Sequence, residues 1–167
     1  MKARLLLIGL FLLTSACGFH LRGSQLTDFN IANIYIHQSG APKLTKEVTS
    51  QLESAGVTVA TTPEGASYIV TLKQEGYEKS VLSVSAATGK VEEYLITYKA
   101  KMDLMQADGK KIVENDPISM SRDFTFDENS VLGKFSEEEV LREDLVLRSS
   151  GQVLRRLQAL ITTGKKK

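Results

Sequence analysis

The 167-residue chain has one cysteine and two histidines, and each scarcity removes a class of chemistry. A lone cysteine, Cys17, forms no internal disulfide, which is unusual for an exported chain unless the thiol has another use. With His20 and His37 as the only imidazoles, neither a Cys/His nucleophile nor a histidine-rich metal site can be assembled. His37 falls at a strand end without a nucleophile elbow, so Ser/His/Asp catalysis has no frame to stand on. A phosphate-cradling glycine loop is also missing. No apolar run reaches the roughly 20 residues that a helix needs to cross a hydrocarbon core of about 30 Å. Nor does one charge predominate: 21 Lys and Arg face 20 Asp and Glu, so nothing global points to nucleic acid. The acidic groups Glu92-Glu93 and Glu137-Glu138-Glu139 are explained by a solvated turn and a helix N-terminus rather than by acid–base work. No enzyme, metal site or cofactor is expected.

What remains is an ordinary globular composition, 42% hydrophobic and 25% charged, in a chain long enough for one self-sustaining core. Its first residues stand apart. Met1-Lys2-Ala3-Arg4 is a short positive segment, and residues 5–13 form an apolar run of signal-peptide length. Thr14-Ser15-Ala16 puts small residues directly before Cys17, the arrangement that bacterial lipoproteins present to their signal peptidase. The place three before the cysteine, usually Leu, is Thr14, with Leu13 one step back. The expectation is cleavage after residue 16 and acylation of Cys17; the plainer alternative is an ordinary signal peptide that leaves a free thiol. Acyl chains hold firmly, since each buried methylene contributes about 0.8 kcal/mol and two chains suffice where one is marginal. Gly18 is not the Asp that commonly retains such proteins at the inner membrane, so the outer membrane is favoured. Losing Lys2 and Arg4 leaves 19 basic against 20 acidic residues, a mature charge near −1.

Residues 17–30 are polar and aperiodic, a lipidated tether. Residues 31–162 read as one α+β domain and 163–167 as a basic tail. Residues 31–37 predict a strand that ends in a Ser-Gly-Ala-Pro turn. Leu44, Val48, Leu52 and Ala55 share one face of a helix that stops at Gly56. Residues 57–60 give a short strand. A long extended region starts at Tyr68, with a bulge near Gly76, and runs through Val84 to a hairpin tip at Ala86-Ala87-Thr88-Gly89-Lys90. Next, Tyr94, Ile96, Tyr98, Ala100, Met102 and Leu104 alternate with Thr97, Lys99, Lys101 and Asp103. Asp108-Gly109 turns the chain, and Ile118, Met120, Arg122, Phe124 and Phe126 share the apolar phase of a last strand. Arg122 in that phase is either a buried partner or the sign of a shifted register. Ser136 and Glu139 have capping-box spacing and predict a helix from there to about Thr162. The pattern is a two-layer sandwich, two helices on one face of a mixed, mostly antiparallel sheet of about five strands.

Binding is the chemistry left. Lys99 and Lys101 share a polar strand face, Lys90 stands at the hairpin tip and Lys134 precedes the last helix. Clustered lysines suit an anionic phosphate, although lysines also serve solubility and edge protection.

Cys17-Gly18-Phe19-His20-Leu21-Arg22-Gly23 resembles the Cys-Gly-aromatic-His-Leu-Arg opening of the LptE family of lipopolysaccharide-assembly lipoproteins, and the order of elements resembles it over most of the mature chain. The resemblance implies a protein that plugs the LptD β-barrel at the outer membrane, helps it assemble and helps lipopolysaccharide reach the outer leaflet, without catalysis. It also implies basic residues on the sheet and near the last helix as lipopolysaccharide contacts, with Lys134 the best positional match. An accessory of another outer-membrane machine and a periplasm-facing lipid carrier stay open as alternatives.

Overall fold

The computed structural model describes residues 33–126 and 131–164; the leader, Cys17, the tether, His20 and the three final lysines lie outside the described residues. Among the described residues five strands and two helices follow in the order β1 (Ile34–Ser39), α1 (Pro42–Ser54), β2 (Val59–Ala60), β3 (Tyr68–Val84), β4 (Val91–Gln106), β5 (Lys111–Thr125) and α2 (Val131–Gly164). The strands form one sheet in the order β2-β1-β3-β4-β5. β1 runs parallel to both β2 and β3, so α1 is the crossover between β1 and β2; β3, β4 and β5 form an antiparallel meander.

Both helices cover the same sheet face because every element contributes its apolar phase to that side. Leu44, Val48 and Leu52 of α1 are fully buried, as four-residue spacing requires. The even positions of β4 from Ile96 to Leu104 are buried beneath them, together with Val70 and Leu72 of β3 and Ile118 of β5. From α2 come Leu145, Val153, Leu154, Leu157 and Ile161, and the helix continues unbroken through Gly151. Truncating any of these leucines to alanine would cost about 2–5 kcal/mol. The opposite sheet face carries no helix among the described residues; its middle is polar, with Thr71, Lys73, Thr97, Lys99, Lys101 and Asp103 in the alternate phase, and Ile69, Met105 and Leu95 share that phase toward its ends.

The register of the long hairpin is broken once in its first half. Between Lys73 and Gly76 β3 carries one extra residue relative to β4, and Gln74 takes a positive φ of 56°. Before the bulge the even residues Tyr68, Val70 and Leu72 face the helices; after it Tyr77, Lys79 and Val81 do, opposite Tyr98, Ile96 and Tyr94. Glu75, set free in the bulge, reaches α1.

Three expectations are corrected. β5 begins at Lys111, not Ile118: Asn115 at φ 56° absorbs the kink, and Pro117 is tolerated on an edge strand. α2 begins at Val131, so Ser136 is not its cap, and Glu137 to Glu139 lie beyond the first turn. Glu138 instead faces the sheet, accepting hydrogen bonds from Lys79 Nζ at 2.7 Å and Arg142 Nη2 at 2.6 Å. Arg122 is neither buried nor out of register. It lies opposite Ile96 on the helix-facing side of the edge strand and is exposed.

Candidate functional site

The polar sheet face is built by cross-strand geometry. Lys101 of β4 stands directly between Lys73 of β3 and Pro117 of β5, while Lys99 lies between Gly76 and Ser119. Two like charges placed opposite one another repel unless something neutralises one of them. Lys73 is neutralised: its Nζ donates to Asp103 Oδ2 at 2.6 Å. Burial alone raises the Asp103 carboxyl, but the hydrogen bond from Lys73, a second from the Asn115 N–H at 2.7 Å, and the Lys73 and Lys111 charges outweigh it and hold the group below the ordinary carboxylate range. Lys99 is paired diagonally with Glu78, whose carboxyl is lowered chiefly by that hydrogen bond. The Lys101 side chain is exposed and makes no hydrogen bond or ion pair among the described residues. Three ammonium groups against two carboxylates leave this patch one positive charge, and Lys101 carries it.

The four lysines singled out from the sequence do not form one cluster. Lys99 and Lys101 are two residues apart on the same face. Lys90 lies beyond the turn, where its carbonyl accepts from the Ser85 N–H at 2.8 Å and its own N–H donates to Thr88 Oγ1 at 3.4 Å. Between Lys90 and Lys99 the strand rises roughly 30 Å at about 3.3 Å per residue. The Lys134 backbone sits near the start of α2, and its side chain lies outside the described residues. Strand phase therefore found one patch and two outlying lysines.

The reading from alternation missed a second basic cluster on the other face. Lys79 Nζ lies 4.3 Å from the Tyr94 ring centroid and 5.6 Å from that of Phe124, and is tied to Glu138. Arg142 shares Glu138 and packs 4.9 Å from the Tyr77 ring, whose hydroxyl donates to the Arg142 carbonyl at 3.2 Å. Cation and ring attract electrostatically where water is partly excluded, so this cluster fastens the first half of α2 to the long hairpin. Burial raises the Glu138 carboxyl, but Lys79 and Arg142 more than reverse this and hold it low. The signal that could have revealed the cluster is the phase inversion at the bulge.

Between α1 and α2 an open groove of about 610 Å³ is lined by Lys43 and Lys46 against Glu47, Glu143 and Asp144, with Val140 and Leu147 beside them. Two positive and three negative groups make it a poor receptor for an anion. His37 is exposed on β1, its ring 6.4 Å from that of Tyr35.

Comparison with known proteins gives a consistent picture. The family model LptE, described as lipopolysaccharide-assembly, matches residues 31–157. The chain is 26% identical over 166 residues to the LPS-assembly lipoprotein LptE of Photorhabdus laumondii, covering 97% of this chain and 88% of that protein. Among solved structures, the solution NMR structure of an uncharacterized lipoprotein B from Nitrosomonas europaea is similar with a TM-score of 0.72 at 25% identity, covering 89% of this chain and 96% of the other. The crystal structure of the rare lipoprotein B from Shewanella oneidensis shares the fold with a TM-score of 0.67 at 20% identity, covering 78% of this chain and 98% of that one.

Proposed function

Because the chain belongs to the LptE lipopolysaccharide-assembly family, we propose that it is an outer-membrane lipoprotein, acylated at Cys17, that plugs and helps assemble the LptD β-barrel and assists delivery of lipopolysaccharide to the outer leaflet. The observation that carries this reading is the extent of the family match: residues 31–157 take in all five strands, α1 and most of α2, so the likeness belongs to the whole domain and not to one motif. No catalytic step is part of it. The near-balanced mature charge supports enclosure within another protein, where a large unpaired charge would be costly. Lipopolysaccharide is an anion, and Lys101, Lys99, Lys90 and Lys134 are the proposed contacts. Lys101 leads because its ammonium is not committed to a carboxylate among the described residues.

The test is a mild-detergent pull-down of the tagged protein from native outer membranes, with mass spectrometry of the partner and of the Cys17 peptide. Triacylated Cys17 with a stoichiometric large barrel supports the proposal. An unmodified thiol would remove the membrane anchor, and a different stoichiometric partner would reassign the protein to another machine.

A further inference from the structure

The two halves of α2 are held by different forces. A helix within a domain is stabilised mainly by the apolar face it buries. From Leu145 onward α2 has such a face, with Leu145, Val146, Val153, Leu154, Leu157 and Ile161 all buried. From Phe135 to Asp144, nearly three turns at about 3.6 residues each, no side chain is buried, and Phe135 and Val140 are both 66% exposed. Leu141 alone in this stretch packs partly against the core. On the α1 side the stretch borders the open groove, bridged there by an exposed Lys43–Glu139 pair at 3.7 Å that contributes little.

What fastens the stretch is one carboxylate. The Glu138 side chain is 12% exposed; its Oε2 accepts from Lys79 of β3 and its Oε1 from Arg142. Arg142 in turn lies over the Tyr77 ring, and the Tyr77 hydroxyl donates to the Arg142 carbonyl, so the second fastening stands one helical turn from the first and shares its charge. Two cations depend on one anion. Removing the carboxylate therefore does more than delete an ion pair: it leaves Lys79 and Arg142 as like charges facing one another across the joint between hairpin and helix.

We propose that residues 135–144 are an arm that opens as one unit while the remainder of the domain stays folded, with Glu138 as its latch. Independent opening belongs to segments with few buried apolar contacts, and this stretch of α2 has the fewest in the helix. The closed arm keeps Arg142 over the Tyr77 ring and the Lys79 ammonium neutralised. The open arm bares that ring and leaves, beside the Tyr94 and Phe124 rings, an ammonium without a carboxylate. The arm is thus a cover over a cation set among three rings. The inference rests on the joint between helix and hairpin and not on the barrel partnership.

The experiment is amide hydrogen exchange on the full lipoprotein in mild detergent, repeated at low concentrations of urea. In the wild type the amides of 138–144 should share one level of protection, about tenfold or more below that of 153–161, and should respond weakly to urea because little surface is exposed when the arm opens. Glu138→Gln should speed exchange in 138–144 about tenfold and leave 153–161 unchanged. Lys79→Met, which keeps an alkyl chain over Tyr94, should open the arm less, and in the double variant it should partly reverse the effect of Glu138→Gln by relieving the repulsion from Arg142. Protection that climbs steadily from 138 to 144 would make the stretch a fraying helix end and overturn the proposal. So would protection and urea response equal to those of 153–161, which would make α2 a single unit. An unchanged arm in Glu138→Gln, or exchange sped equally in both halves of α2, would remove Glu138 as the latch.

Discussion

Replacing Glu75 by alanine is expected to destabilise the fold by about 2–4 kcal/mol, although Glu75 lies in a bulge outside the apolar core. α1 starts at Pro42 after Ala41, which has no side chain able to cap it, and no acidic residue stands in its first turn. The cap comes from across the structure: Glu75 Oε1 accepts the Lys43 N–H at 3.0 Å, and Oε2 accepts the Leu44 N–H at 3.0 Å and the Tyr98 hydroxyl at 2.9 Å. Loss of an N-cap typically costs about 1 kcal/mol, and stranding a buried hydroxyl such as that of Tyr98 costs about 1–3 kcal/mol more. For a domain of this size the sum corresponds to a fall in Tm on the order of 10 °C. Glu75→Gln keeps one acceptor but turns an amide N–H₂ toward donors, so about half that loss is expected. Urea denaturation followed by circular dichroism measures both. Tyr98→Phe completes a double-mutant cycle: it should be costly in the wild type and nearly neutral beside Glu75→Ala, with a coupling of about 1 kcal/mol or more. A loss below about 0.5 kcal/mol for Glu75→Ala, or strictly additive losses, would refute the trans-capping account.

Lys101→Glu should weaken binding of purified lipopolysaccharide about tenfold, with stability changed by less than about 0.5 kcal/mol, while Lys99→Glu should do less because Lys99 already pairs with Glu78; surface plasmon resonance beside thermal melts checks both. Gly151→Ala should stabilise the protein by about 0.5–1 kcal/mol, since the added methyl meets only the flexible end of Arg155 at 3.3 Å; a melt shifted downward would show that this site in α2 cannot adjust. Stability should also fall at both ends of the pH range. The Tyr98 hydroxyl is raised by burial and by Glu75, so its contribution is complete below the ordinary tyrosine value of about 10 and is lost as pH rises beyond it. Asp103 and Glu138 are lowered, so their contributions are complete above the ordinary carboxylate range and are lost as pH falls through it. Tyr98→Phe should flatten the alkaline limb alone in urea titrations across pH.

The alternation along β4 and the four-residue spacing in α1 are direct projections of a one-sided core, and both were legible in the sequence: Ile96 to Leu104 and Leu44 to Leu52 are buried where phase put them. The start of β5 was hidden because Glu114-Asn115-Asp116-Pro117 has the composition of a turn; only the Asp103 carboxylate receiving the Asn115 N–H and the Arg156 guanidinium on the Pro117 carbonyl make an edge strand of it. α2 began earlier than expected because Ser136 and Glu139 imitate a cap, whereas tertiary bonds from Lys79 hold Glu138 to the sheet. Strand phase placed Lys99 and Lys101 together. It could not show that Glu78 would neutralise one of them or that Lys73 would stand opposite the other, since both facts depend on the register across β3 and on the bulge at Gln74.

The central claim, that this chain serves lipopolysaccharide assembly at the outer membrane, is tested most directly by depleting it in its native host and measuring lipopolysaccharide in the outer leaflet by surface labelling of intact cells. The account predicts that surface lipopolysaccharide falls as the protein is lost and that the level of correctly folded barrel partner falls with it. Unchanged surface lipopolysaccharide in fully depleted cells would contradict it.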